Sequence, residues 1–274
     1  PKKVIEKWGK KDPILLFEKH LKSKKILTEK DFDEINFSIE NSVLPAIDEA
    51  LKHSLPKSNI SKEMDDVFYK SKFNIIKPIN DKIDKVRFVD AIKNTLYDKM
   101  LLDETVILMG QDIAEYGGVF KVTEGFVEKF GKDRVRNTPI IESGVIGAAM
   151  GMAINGFKPI VELQFADFVS VGFNQIVNNL AKTYYRWNQP VNVTLRMPTG
   201  GSIGAGPFHS QSNESWFFHV PGIKIVYPSN PYDAKGLLCS SIDDNNPVMF
   251  FEHKALYRSV EEDVPNSMYN IELG

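Results

Sequence analysis

Three short stretches of this 274-residue chain carry residue types that do chemistry. Gly200-Gly201-Ser202-Ile203-Gly204 matches G-x-S-x-G, the elbow that presents a nucleophilic serine. Its context argues against that use. A helix should start at once, yet Ala205-Gly206-Pro207 follows, and His209 comes too soon for the late triad histidine. The glycines also lack the G-x-G-x-x-G order and a G-K-S/T ending, which sets aside a dinucleotide or Walker-type phosphate site. What remains is a glycine-rich loop, 198–212, that delivers His209. Such a loop suits an acid–base imidazole held over a ligand, and it equally suits a surface turn with an incidental histidine. In the second stretch, the extended apolar run Pro139-Ile140-Ile141 leads into Glu142 and then a helix of small residues. Glu142 there is either a helix-terminal carboxylate facing the helix dipole or a shielded carboxylate that bonds a ligand nitrogen. The third stretch, Phe165-Ala166-Asp167-Phe168, follows a strand end; its rings belong to the core or stack on a planar ligand. The other histidines show no metal-ligand spacing, and the single cysteine, Cys239, reads as a buried small hydrophobe.

The elements that must position these residues follow from the apolar pattern. Short apolar runs predict strands over 105–109, 159–164, 191–196, 223–227 and 248–251. Between them, helical patterns predict helices over 88–101, 143–155, 168–187 and 232–242. Near-continuous apolar strands alternating with helices imply an α/β fold, a parallel sheet with helices on both faces. Ligands of such sheets sit at the carboxyl ends of the strands, which is where the loops after 109, 164, 196 and 227 fall. Residues 1–85 differ: they hold 18 Lys, no Arg and a single glycine, Gly9, whereas 17 glycines follow. Asp12-Pro13 starts one helix, and Thr28 with Asp31 resembles a capping box that starts another. That second helix carries one apolar stripe, Phe32, Ile35, Ile39, Val43, Ile47 and Leu51, with Pro45 expected to kink it. Residues 56–85 lack a period and read as a linker. The net charge of −2 gives no general argument for nucleic acid or anionic membrane as a partner. No apolar run reaches 18 residues. One cysteine needs no oxidising compartment, so the expected location is cytoplasmic. The start at Pro1, without a signal-peptide pattern, reads as a cut end.

Longer motifs carry a resemblance. The run from Gly110 to Thr123 (GQDIAEYGGVFKVT), TPIIESG at 138–144, ELQFADF at 162–168, NQIVNNLAKTYYR at 174–186, HSQS at 209–212 and PYDAKGLL…NNPVMFFEHKALYR at 231–258 resemble the β subunit of thiamine diphosphate-dependent 2-oxo acid dehydrogenases. The similarity covers about 86–274. Residues 1–55 resemble the C-terminal helices of the α subunit, so the chain looks like a fused α–β polypeptide cut at both ends. The resemblance implies the thiamine diphosphate-binding fold, in its pyrimidine-binding domain. It implies that Glu142 contacts N1′ of the cofactor aminopyrimidine, favouring the imino tautomer that activates the thiazolium. Phe168 would pack in the pyrimidine pocket beside Gln164, and His209 would handle protons during decarboxylation and acyl transfer. Ser241, Asp244 and Asn246 match a region that binds a monovalent cation such as K⁺, and Gln111 stands where Glu is often found. No GDG motif occurs in this chain, so Mg²⁺ and the diphosphate would be held by an α-type pyrophosphate domain elsewhere. A further C-terminal domain is expected after Gly274, and the chain alone is expected to be inactive. The implied partners are that α-type domain, a second β-type subunit and the lipoyl domain of a dihydrolipoyl acyltransferase. The wording at 255–273 looks closest to branched-chain 2-oxo acid (2-oxoisovalerate) dehydrogenases, with pyruvate dehydrogenase and a non-catalytic assembly module as alternatives.

Overall fold

Alternation along the strands puts neighbouring residues on opposite faces of a sheet, and this chain fills both faces with apolar side chains. In the computed structural model, which describes residues 2–71, 74–79 and 82–273, the chain divides into two units, 1–58 and 59–274. Pro1, Lys72, Phe73, Asn80, Asp81 and Gly274 lie outside the described residues, and with them part of the expected cut ends and of the 56–85 linker.

The first unit is helical: α1 (Lys2–Gly9), α2 (Pro13–Ser23) and α3 (Glu29–Ala50). Asp12 caps α2 by accepting the backbone N–H of Ile14 at 2.8 Å and of Leu15 at 3.4 Å. The Thr28–Asp31 capping box forms, each side chain accepting the other residue's backbone N–H. Helix α3 runs unbroken through Pro45. Its stripe residues Ile35, Ile39, Val43 and Ile47 are exposed.

The second unit contains α4 (Ile60–Asp65), β1 (Ile83–Arg87), α5 (Phe88–Leu102), β2 (Val106–Gly110), α6 (Phe126–Phe130), β3 (Val135–Asn137), α7 (Glu142–Ile154), β4 (Lys158–Glu162), α8 (Ala181–Trp187), β5 (Thr194–Thr199), β6 (Lys224–Val226), α9 (Pro231–Asp243), β7 (Val248–His253), α10 (Leu256–Ser259) and β8 (Glu261–Pro265). Six strands form one parallel sheet in the order β3-β2-β4-β5-β7-β6. Leu108, Ile160 and Phe250 face one core with α5 and α9; Ile107, Met109, Val161, Met249 and Phe251 face the other with α7. Cys239 lies buried in α9, where burial pushes its thiol up to about 11. Among the described residues, no helix is long and apolar enough to cross a membrane.

Three differences from the sequence reading have physical causes. Strand β5 starts at Thr194 because the backbone N–H of Val191 goes to Asn245 O instead of to β4. The expected helix over 168–187 is broken into a 3-10 segment, Ala166–Gly172, a π segment, Gln175–Leu180, and α8. Gly172 sits so close to α7 that a Cβ there would lie 2.4 Å from Ile146 Cδ1, and the tight turn accommodates that approach. The 56–85 stretch is more than a linker. It carries α4 and β1, and its backbone between them is held by side chains of the domain. Asn246 accepts the N–H of Tyr69 at 2.7 Å and donates to its carbonyl at 3.0 Å. Asn270 accepts from Ile76 N at 2.7 Å, and Ser267 from Ile79 N at 2.9 Å. Strand β1 then pairs antiparallel with β8.

Candidate active site

The carboxyl ends of β2, β4, β5 and β7 feed loops that carry most of the residues singled out by sequence. Gly110 ends β2 opposite Glu162, and a Cβ there would lie 2.7 Å from the Glu162 carbonyl, so glycine permits the close pairing. The next residue, Gln111, donates from Nε2 to Oε1 of Glu142 at 3.2 Å. Glu142 is the first residue of α7 and is 6% exposed. The carboxylate thus stands at a helix start and is shielded from solvent. Among the described residues, no donor reaches its second oxygen, Oε2.

After β4, Gln164 donates from Nε2 to Oδ2 of Asp112 at 3.3 Å, tying the β4 loop to the β2 loop. Phe165 and Phe168 meet edge to face, with centroids 5.9 Å apart. The imidazole of His209 stands edge-on to both, 4.7 Å from Phe165 and 5.5 Å from Phe168. So His209, Phe168 and Phe165 form one group. Glu142 lies on the neighbouring α7, against which Ala166–Gly172 packs, and no hydrogen bond joins it to His209 among the described residues.

Two side chains that sequence reasoning passed over hold the His209 loop. Asp167 Oδ1 accepts the N–H groups of Ser210 at 3.0 Å and Gln211 at 3.1 Å. Lys254 Nζ donates to the carbonyl of His209 at 3.0 Å. A third cluster lies beneath. Arg196, 1% exposed, bonds Glu162 at 2.7 Å and Glu252 at 2.7 and 2.8 Å, and Tyr257 donates to Glu252 at 2.6 Å. Burial raises the Glu162 carboxyl and Arg196 opposes that rise. Burial disfavours the Arg196 charge, but Glu252 and Glu162 outweigh it and hold the guanidinium charged. The signal for these residues was present as charged types inside or at the ends of apolar strands, where an unpaired charge would be costly.

The cation residues lie elsewhere. Ser241, Asp244 and Asn246 precede β7 and sit at the amino edge of the sheet. Ser241 Oγ donates to Leu237 O at 2.7 Å, Asp244 pairs with Lys224 at 2.7 Å, and Asn246 is bonded to Asp244 and Tyr69. Their side chains are engaged within the protein. Beside the site, Ile140 is 83% exposed and Phe208 74%.

The second unit of the chain is thus an α/β domain: a parallel sheet whose carboxyl edge carries a shielded helix-start carboxylate, a pair of rings and a histidine. The family model described as "Transketolase, pyrimidine binding domain" matches residues 84–260, and the chain belongs to that family. It is 44% identical over 192 residues to a protein of Staphylococcus epidermidis named pyruvate dehydrogenase E1 component subunit beta, covering 69% of this chain and 59% of that one. It is also 44% identical over 191 residues to the 2-oxoisovalerate dehydrogenase subunit beta of Bacillus subtilis, covering 68% of this chain and 58% of that one. The chain thus spans just under three fifths of the length of these relatives. A solved structure titled split gene transketolase, inactive beta4 tetramer, shares the fold, with a TM-score of 0.50 at 15% identity over 68% of this chain and 53% of that one.

Proposed function

We propose that this chain supplies the aminopyrimidine side of a thiamine diphosphate site in the decarboxylating component of a 2-oxo acid dehydrogenase. The observation that carries the reading is Glu142. It is a buried carboxylate at the sheet's carboxyl edge, with one oxygen taken by Gln111 and the other free of donors among the described residues. That donor set fits a flat heteroaromatic ring that shares a proton with a carboxylate, and the ring pair Phe165 and Phe168 supplies apolar edges. When bound, thiamine diphosphate supplies the nucleophilic thiazolium carbon and the electron sink for decarboxylation. Glu142 would hold the shared proton at Oε2. Phe168 would exclude water from the ring, and Gln164 would fix the wall between the β2 and β4 loops. His209 would hold or move a proton at its imidazole during decarboxylation and acyl transfer to a lipoyl domain of a dihydrolipoyl acyltransferase.

Mg²⁺ and the diphosphate would be held by an α-type domain, with a second β-type subunit completing the assembly. The exposed Ile140 and Phe208 beside the site support a covering partner. In this reading residues 1–55 are α-type helices fused ahead of the β-type domain, and the setting is cytoplasmic. K⁺ at Ser241, Asp244 and Asn246 is not carried forward, because those side chains already have protein partners.

The substrate proposed is a branched-chain 2-oxo acid, in keeping with the resemblance at 255–273. Pyruvate is the second reading, favoured by a relative of that name at the same 44% identity. The test assays the whole polypeptide with thiamine diphosphate and Mg²⁺, comparing kcat/KM for 3-methyl-2-oxobutanoate and pyruvate. A preference for pyruvate moves the substrate and leaves the residues in place. No turnover of either, with no cofactor bound, leaves an assembly module. Glu142→Gln is expected to lower turnover by about 10²–10⁴-fold with the melting temperature kept; unchanged turnover removes Glu142 from the mechanism.

A further inference from the structure

The loop that delivers His209 is poorly suited to fix it unaided. Gly200, Gly204 and Gly206 all adopt positive φ, as does Ser202. A stretch so rich in glycine loses much conformational entropy when a single geometry is held. Within the loop, the backbone of His209 makes one bond, from its N–H to Gly206 O at 3.2 Å. The loop is already closed without Asp167 or Lys254: Gln211 O accepts from Gly200 N at 2.9 Å and from Thr199 Oγ1 at 3.0 Å. Yet two charged side chains, each 5% exposed, converge on the residues at and just after the histidine. Asp167 comes from the β4 loop and takes two N–H groups into one oxygen; Lys254 comes from the end of β7 and takes the carbonyl. Burying a carboxylate and an ammonium merely to close a loop that is already closed would be costly. The Lys254 ammonium also lies 5.2 Å over the ring of Phe165, the ring that His209 meets edge-on.

We propose that Asp167 and Lys254 are positioning residues for His209, a two-sided clamp on its backbone that sets the imidazole against Phe165 and Phe168. The inference deepens the reading of His209 as the proton-handling group and rests on it. Burial lowers the Lys254 pKa and the Asp167 charge opposes that fall, so Asp167 helps to keep the ammonium charged. Asp167 Oδ2 is buried with no partner among the described residues, which leaves the carboxylate's other oxygen to do all of the holding.

The test separates positioning from function by reading His209 directly. The full chain would be labelled at histidine and at backbone nitrogen, and Asp167→Asn and Lys254→Met compared with Thr199→Val. The last variant removes the hydroxyl bond to Gln211 O and leaves the Asp167 and Lys254 side chains and their three bonds in place. Charge-assisted bonds are roughly twice as strong as neutral ones, so Asp167→Asn should speed amide exchange at Ser210 and Gln211 about tenfold. His209 ring signals should shift or broaden in both clamp variants and stay unchanged in Thr199→Val. In the assembled enzyme the clamp variants should lower kcat about tenfold or more while the cofactor affinity stays within about twofold. Unmoved His209 signals in both clamp variants, or an equal disturbance in Thr199→Val, would overturn the clamp. Its failure is distinguishable from that of the functional reading, since an assembled wild-type enzyme that neither binds cofactor nor turns over would refute the latter while leaving the spectra of the chain to decide the former.

Discussion

Replacing Arg196 by Met tests the energetic logic of the sheet's buried charges. Three charge-assisted bonds disappear: one to Glu162 at 2.7 Å and two to Glu252 at 2.7 and 2.8 Å. Each is worth about 1.5–3 kcal/mol. The buried Met side chain returns about 1.5–3 kcal/mol of apolar burial. The expected net loss is about 3–5 kcal/mol, the range for a buried pair deprived of one partner; here two carboxylates lose the guanidinium at once, and Glu252 keeps only the Tyr257 hydroxyl. The pH dependence gives a sharper signature. Burial already lifts the Glu162 carboxyl, and Arg196 is the largest opposing influence. Without it, the folded-state pKa rises further above the unfolded value. A group raised on folding contributes stability below its unfolded pKa and loses it as pH rises through the folded pKa. The deficit of Arg196→Met should therefore be widest near pH 8 and shrink towards pH 5. Urea midpoints followed by near-ultraviolet circular dichroism across that range measure it. A variant within about 1 kcal/mol of wild type at pH 8, or a deficit that ignores pH, refutes the reasoning.

Two other perturbations test the frame around the site. Asp103 accepts from Thr105 N and Oγ1 and pairs with Lys158; burial opposes its charge, but these bonds hold the carboxyl at about 2. Its folded pKa is depressed, so its contribution is present above the unfolded value and fades as pH falls through about 2. Asp103→Asn should cost roughly 2 kcal/mol at pH 7, with the gap to wild type closing between about pH 4 and 2 in denaturant midpoints. Gly222 holds φ at +93°, and a Cβ there would fall 1.9 Å from Ala181 O. Gly222→Ala should destabilise by more than about 2 kcal/mol in a thermal melt, and a neutral result would remove the close approach.

The centre of the sheet was legible because its strands are apolar on both faces, and burial then speaks directly through the residue type. The β1–β8 pair was not. Ile83-Asp84-Lys85-Val86-Arg87 and Glu261-Glu262-Asp263-Val264-Pro265 are rich in charge, with only Val264 and Pro265 buried, so their polar pattern looks like a linker and a tail. Only the long-range pairing makes them strands. The break near Gly172 was equally hidden, because it arises from contact with Ile146 on a separate helix. At the site, Glu142, Phe168 and His209 stood out by type and local setting. Asp167 was visible only as part of an aromatic run, and Lys254 and Arg196 only as charges in apolar strands. What they hold is far away in sequence, and single-sequence periodicity carries no such pairing.

The paired β1 and β8 have a mechanical consequence. Their antiparallel register runs from Ile83 opposite Pro265 to Arg87 opposite Glu261, and Ile79 and Ile76 continue it against Ser267 and Asn270. The α/β domain's incoming and outgoing chain thus lie side by side at one end of a ribbon. A pull on the two flanking segments would load the bonds in succession, opening them like a zipper from the Ile76–Asn270 end. On the incoming side the two bonds between Tyr69 and Asn246 would be loaded first, and the ribbon after them. Both should yield under tension ahead of any strand that carries the site.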